Sequence, residues 1–309
     1  MGPPNTGSHR WRSMIRFGPA GWSYDDWKGI VYPDERPKGF DPLPYLARYF
    51  DTIEINSTFY RPPRPEVAER WARRVVENRD FKFTAKLWRR FTHERDEAWS
   101  PQEVDAVRFG LDPLAESSRL GALLIQFPWS FKATQESLEW LGDVSDAFSA
   151  YPVVVEVRHE SWNRPEFYEW LNRRGVGFVN IDQPLFHRSI EPSAKAAGRV
   201  GYVRLHGRNY EDWFRQEAGR DARYDYLYSR EELESWVQRI RDLAGDETVE
   251  DVYVVTNNHY RGQAVANAVM LAAMVREAPQ KAPGILISAF PGALAGLADA
   301  EGGVQRRFL

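Results

Sequence analysis

Glu54, Lys86, Glu156, Asp182, Arg204 and His206 all sit in, or at the end of, short runs otherwise made of aliphatic and aromatic residues. Carboxylates and an imidazole gathered in one place are the equipment of general acid–base chemistry. The candidate catalytic residues are therefore Glu54, Glu156, Asp182 and His206. Glu156 and Asp182 suit a base, or ligands of a single divalent ion such as Mg2+ or Mn2+; His206 suits a general acid or base, or a third ligand. Glu54 and Glu156 facing each other would instead be the two carboxyls of a metal-free glycoside hydrolysis. The neighbouring Lys86 and Arg158 lower a carboxylate pKa, which favours a base or nucleophile over an acid.

A second set of residues grips anions. Lys86, Arg158, Arg204 and Arg208 offer point-charge or bidentate contacts to phosphate or carboxylate. Asn56, Gln126, Asn257, Asn258 and His259 can hydrogen-bond amide or base edges, and Trp22, Tyr24, Tyr60 and Trp162 are the aromatics that stacking on bases or sugars requires. The leading ligand class is an anionic small molecule or a nucleic acid carrying phosphate, and the leading function is an enzyme acting on it by hydrolase-like acid/base or single-metal chemistry. The rivals are a non-catalytic binding barrel and a polar plug, in which three acids and three bases only neutralise one another beneath an aromatic skirt.

The elements that must position these residues recur along the chain. Strand-like runs fall at 15–20, 52–56, 81–86, 121–127, 152–158, 176–181, 200–206 and 251–257, with amphipathic segments such as Pro65–Asn78, Pro165–Arg174, Ser229–Ala244 and Gln263–Glu277 between them. Eight strands alternating with helices imply parallel pairing through right-handed crossovers and closure into one (β/α)8 TIM-type barrel. Nearly every polar candidate lies at the C-terminal end of its run, where the active sites of such barrels collect. Alternation in TIEIN puts Glu54 opposite Ile53 and Ile55, and pairs Glu156 with Arg158 and Arg204 with His206 on shared faces. The charged, Tyr-rich stretch Glu211–Arg230 is expected to be a loop or lid after the seventh strand.

Composition narrows the rest. The chain has 309 residues, 43% hydrophobic and 14% aromatic, with a formal net charge of −3 and no cysteine. Disorder is excluded, as are disulfides, thiolate nucleophiles, Cys-ligated zinc and iron–sulfur clusters. No overall basic field draws nucleic acid or a membrane, and the lack of a long apolar run leaves a cytoplasmic protein as the expectation. No G-x-x-x-x-G-K-[ST] occurs, so no nucleotide cofactor is implied. Histidines are too few for a trinuclear zinc centre. The ending QRRFL (Gln305–Leu309) is too short a signal to assign as a sliding-clamp-binding tail.

Six segments together carry a resemblance: GWSYDDWKGIVYP (21–33), TIEINSTFYRPP (52–63), LIQFPWSF (124–131), VEVRHESW (155–162), YVRLHGRN (202–209) and NNHYRGQAVANA (257–268). In this order they resemble the YecE-like family, domain of unknown function 72. The resemblance implies a barrel over residues 15–290, leaving 1–14 as an N-terminal extension and 291–309 as a tail; it implies no established reaction.

Overall fold

The β-branched and aromatic runs become eight strands, all parallel: β1 (Met14–Pro19), β2 (Thr52–Ile55), β3 (Lys82–Lys86), β4 (Leu120–Gln126), β5 (Val153–Glu156), β6 (Gly177–Asp182), β7 (Val200–Leu205) and β8 (Asp251–Thr256). The computed structural model describes residues 13–213 and 222–301. Consecutive strands from β2 to β8 pair side by side, and β8 pairs in turn with β1. The ring closes between β1 and β2 through a single bridge, Ala20 to Glu54, where the Gly21 N–H donates to the Glu54 carbonyl at 2.8 Å. Gly21 has φ +81°, and a Cβ there would stand 2.6 Å from the Tyr24 hydroxyl, so the seam needs glycine.

Helices cover the outside: α1 (Pro42–Leu46), α2 (Pro65–Arg74), α3 (Pro101–Glu116), α4 (Gln135–Ala147), α5 (Pro165–Arg174), α6 (Arg230–Gly245) and α7 (Gln263–Arg276). Proline at the first turn opens α2 and α5, and reciprocal Ser–Glu caps open α3 (Ser100, Glu103) and α6 (Ser229, Glu232). The strict alternation expected from the sequence fails once, because residues 183–199 between β6 and β7 contain no helix. The almost wholly apolar α7 is buried along its length. Its cover includes the segment that follows, β9 (Gln280–Ala282), α8 (Gly284–Ala289), α9 (Pro291–Leu294) and β10 (Ala298–Ala300), with β10 paired parallel to β9. The tail expected from residue 291 is thus folded as far as 301; Gln305–Leu309, residues 1–12 and residues 214–221 of the expected lid lie outside the described residues.

Inside the barrel the side chains form polar layers. At the N-terminal end Asp251 accepts from Arg16 and from Lys82 (3.0 Å). Tyr202 fills the middle, 2.9 Å from the Thr84 hydroxyl. The C-terminal layer carries the candidate site. No helix among the described residues is long and apolar enough to cross a membrane.

Candidate active site

Strand register decides which side chains meet at the mouth. Glu54 (β2), Arg204 (β7) and Glu156 (β5) turn inward and join across the lumen, all essentially unexposed. Arg204 donates to Glu54 through Nε (3.0 Å) and Nη2 (2.6 Å), and through Nη1 to Glu156 at 3.1 Å. Tyr202 adds its hydroxyl to Glu54 at 2.9 Å. Glu156 also accepts Nε and Nη2 of Arg158 at 2.9 and 2.8 Å. His206 Nε2 lies 3.2 Å from Glu156, and Asn257 Nδ2 lies 3.1 Å from His206 Nδ1. Arg158 Nη2 and Arg204 Nη1 each lie 3.4 Å from the same Nε2.

Electrostatics follow from that packing. Burial pushes the Glu156 carboxyl up, but Arg204, Arg158 and His206 outweigh it and hold it well below the usual carboxylate range. Burial, helped by the two arginines and opposed by Glu156, lowers His206 to about 3, so the ring is neutral at pH 7. Unfolding frees His206 to titrate near its ordinary value of about 6.5. Between those values the unfolded chain binds a proton that the folded chain does not, so stability falls as pH falls. Replacing His206 with asparagine should therefore flatten the pH dependence of unfolding free energy between pH 6 and 5 by about 1 kcal/mol per pH unit. An unchanged slope in denaturant titrations would mean that His206 is charged in the fold.

Above this layer opens a cavity of about 840 Å3, and the sequence candidates divide sharply around it. Trp22, Tyr24, Asn56, Tyr60, Lys86, Gln126, Arg158, Arg204, Asn257 and His259 line it. Glu54, Glu156 and His206 do not; they form its floor support, each already engaged with an arginine or with one another.

Asp182, Arg208, Trp162 and Asn258 need correction. On β6, Val179 and Ile181 pair with the lumen-facing Tyr202 and Arg204 of β7, so Asp182 faces the helices. There it accepts from Arg208 Nε (2.9 Å) and Nη2 (2.7 Å), the Tyr228 hydroxyl (2.8 Å) and Trp236 Nε1 of α6 (2.7 Å). Arg208 is consequently committed to Asp182 and does not reach the cavity. Trp162 stacks on Phe131 in the core and donates to its carbonyl, while Asn258 bonds the Tyr226 carbonyl and Asn267.

With Asp182 turned away, the proposed trio Glu156, Asp182 and His206 does not converge, and no group of three or more His, Asp or Glu suited to a metal occurs among the described residues. The Glu54–Glu156 pair does not present two carboxyls to a ligand either, since Arg204 joins both beneath the cavity.

The sequence reading passed over several residues of the cavity wall, among them Phe59, Gln183, Phe186, Trp213 and Tyr224. Phe59 stood between two named residues, Asn56 and Tyr60, and Gln183 continues the lumen-facing series of Val179 and Ile181. Phe59 carries the Lys86 ammonium 3.9 Å above its ring centroid and has His93 edge-on at 4.9 Å. Burial, then the charge of Arg204, lowers the Lys86 amine to about 7, although Glu156 and Glu54 pull the other way. The Lys86 ammonium makes no ion pair or hydrogen bond among the described residues, although its backbone carbonyl accepts from the Thr58 hydroxyl.

A parallel eight-stranded barrel with a cationic, aromatic-walled mouth over a sealed ion network is the class of protein that fold and site define. The chain belongs to the family described as protein of unknown function DUF72, whose model matches residues 16–289. It is 29% identical over 267 residues to UPF0759 protein YunF of Bacillus subtilis, covering 82% of this chain and 92% of that protein. It is likewise 29% identical over 190 residues to UPF0759 protein YecE of Escherichia coli K12, covering 59% and 64%. A DUF72 family protein of Thermotoga maritima superposes with TM-score 0.72 at 34% identity, over 85% of this chain and 99% of the other. One from Enterococcus faecalis gives TM-score 0.73 at 24% identity over 85% and 95%, a likeness of fold.

Proposed function

We propose that the barrel mouth binds and transforms a small organic anion, one that carries phosphate or carboxylate on a ring or chain of nucleotide size. The observation that carries this reading is the sorting of charge. Both buried glutamates are neutralised by arginine below the cavity, while Lys86 and one face of Arg158 meet the cavity itself. An anion there finds cations whose counter-charges lie behind them, in a partly water-excluded site where charge contacts are strong. Asn56 and Gln126 add amides, and Trp22, Tyr60 and Trp213 offer faces for the organic part.

A small ligand suits the site better than a polymer. Two arginines near the mouth that could extend a phosphate track are paired with acids, Arg89 with Glu94 (2.7 Å) and Arg188 with Glu160 (2.9 Å). Hydrolysis through Glu54 and Glu156 is disfavoured for the reason given above.

Thermal melts test the reading. Inorganic phosphate or a nucleoside monophosphate should raise the melting temperature, by about 2.7 kcal/mol of stability at 100 times its dissociation constant. Lys86→Met should weaken that affinity roughly tenfold or more, the scale of one hydrogen bond to a charged group. No shift with either anion sinks the proposal. A larger shift with a short oligonucleotide than with the monophosphate would restore nucleic acid as the ligand.

A further inference from the structure

Lys86 has properties that anion binding alone does not require. It stands on the C-terminal end of β3, above the face of Phe59, with no carboxylate in contact among the described residues. In a mouth holding four other cationic side chains, Arg89, Arg158, Arg204 and Arg223, it is the one whose charge is given up most readily. Burial and the guanidinium charge of Arg204 favour the neutral, nucleophilic amine, while the face of Phe59 holds it in place.

We infer that Lys86 is a nucleophile that forms an iminium with the carbonyl carbon of a small oxo-compound whose carboxylate or phosphate is held at Arg158. This rests on the anion-binding reading of the same cavity. Arg158 commits Nε and Nη2 to Glu156 and has no hydrogen bond at Nη1 among the described residues, so it can hold an anion without releasing its own support. His93 lines the same wall, edge-on to Phe59, and is held neutral at about 4 by burial and by the charges of Lys86 and Arg158. It is a neutral base in the same cavity as the amine.

The step balances without any further reactant. The Lys86 lone pair forms a C–N bond to the carbonyl carbon, and the C=O π pair moves to oxygen. The proton lost by nitrogen passes to that oxygen, directly or by way of His93 or water. The proton that the Lys86 ammonium first gave up, to His93 or to water, then returns to the hydroxyl and lets it leave as water, while the nitrogen lone pair forms C=N. The resulting cationic iminium is an electron sink for a neighbouring C–H, C–C or C–COO− bond, which identifies the substrate class as 2-oxo acids or phosphorylated aldehydes and ketones.

Reductive trapping tests this. The full chain is incubated at pH 7 with pyruvate or glyceraldehyde 3-phosphate and cyanoborohydride, with acetone as the uncharged comparison, and modified lysines are mapped by mass spectrometry. The expected result is labelling of Lys86 at least tenfold faster than of the other lysines, and at least tenfold faster with the anionic carbonyls than with acetone. Lys86→Arg keeps the positive charge but supplies no nucleophilic amine, so it should lose the adduct while phosphate still raises its melting temperature.

Absence of labelling at Lys86, or labelling spread evenly over the lysines, overturns the inference. If phosphate still stabilises the wild type in that case, the anion site survives alone; if it does not, both readings fall. Equal labelling by acetone overturns the assignment of an anionic substrate.

Discussion

Replacing Arg204 with methionine should unfold this protein more readily than any other single change at the barrel mouth. Arg204 is the one residue bonded to both Glu54 and Glu156, and none of the three is meaningfully exposed. Without it two carboxylates remain in the lumen with Arg158, His206 and Tyr202 as partners. Breaking one buried pair by removing a partner costs about 3–5 kcal/mol, and two pairs are broken here. A loss at or above about 5 kcal/mol is expected, lowering the melting temperature by roughly 10 °C or more.

The pH dependence should also weaken. The wild type weakens from pH 7 to 5 because folded His206 refuses a proton. In the variant Arg204 no longer opposes protonation of His206, so its pKa moves back up toward the ordinary value and less stability is lost as pH falls. Melts at pH 7 and 5 decide both points. A loss under ~1 kcal/mol would mean that the carboxylates are not held as a closed network.

The second large effect lies outside the lumen. Asp182→Asn places an amide group where four donors converge, from Arg208, Tyr228 and Trp236. At least one donor then faces another donor in a fully buried position, so a destabilisation of about 3 kcal/mol is expected. Phosphate affinity should stay within about twofold of wild type, because Asp182 does not line the cavity. Loss of anion binding with unchanged stability would return Asp182 to the site and overturn the face assigned to it.

That contrast shows what sequence can and cannot reveal in a parallel barrel. The strand runs were legible because β-branched and aromatic residues cluster wherever a strand is covered on both sides. Glu54, Glu156 and Arg204 were assigned to the lumen from alternation with aliphatic neighbours, and their strands do turn those residues inward. In GFVNID of β6 the same argument has no purchase. Every residue is buried, and here the apolar Val179 and Ile181 face the lumen while the polar Asn180 and Asp182 face the helices, the reverse of β2, β5 and β7. Register against β7 settles the face, and register is a property of two strands.

The functional division was harder still to see. Charge counting found three acids and three bases but could not show that Arg204 and Arg158 would satisfy the glutamates and leave Lys86 on the cavity side. The weight of the site thereby moves from the carboxylates to an amine. Nor does composition distinguish Trp22, in the cavity wall, from Trp162, packed in the core.

The seam of the ring bears on the order in which the chain can assemble. β1, the first strand of the barrel, makes a single bridge to β2, which follows it in sequence, but pairs along all six residues with β8, which begins at Asp251. The principal partner of the first strand is therefore nearly the last to appear. Until it does, Ile15 and Phe17 have no completed barrel wall to enter, and one edge of β1 offers unpaired peptide groups to any neighbour. Long-range pairing of this kind slows folding and prolongs exposure to misassociation. The sequence meets that hazard with Arg16 in the middle of the strand, a charge that finds its counter-ion only when Asp251 of β8 arrives. An ion pair at the bottom of the barrel thus latches the first strand of the barrel to its last.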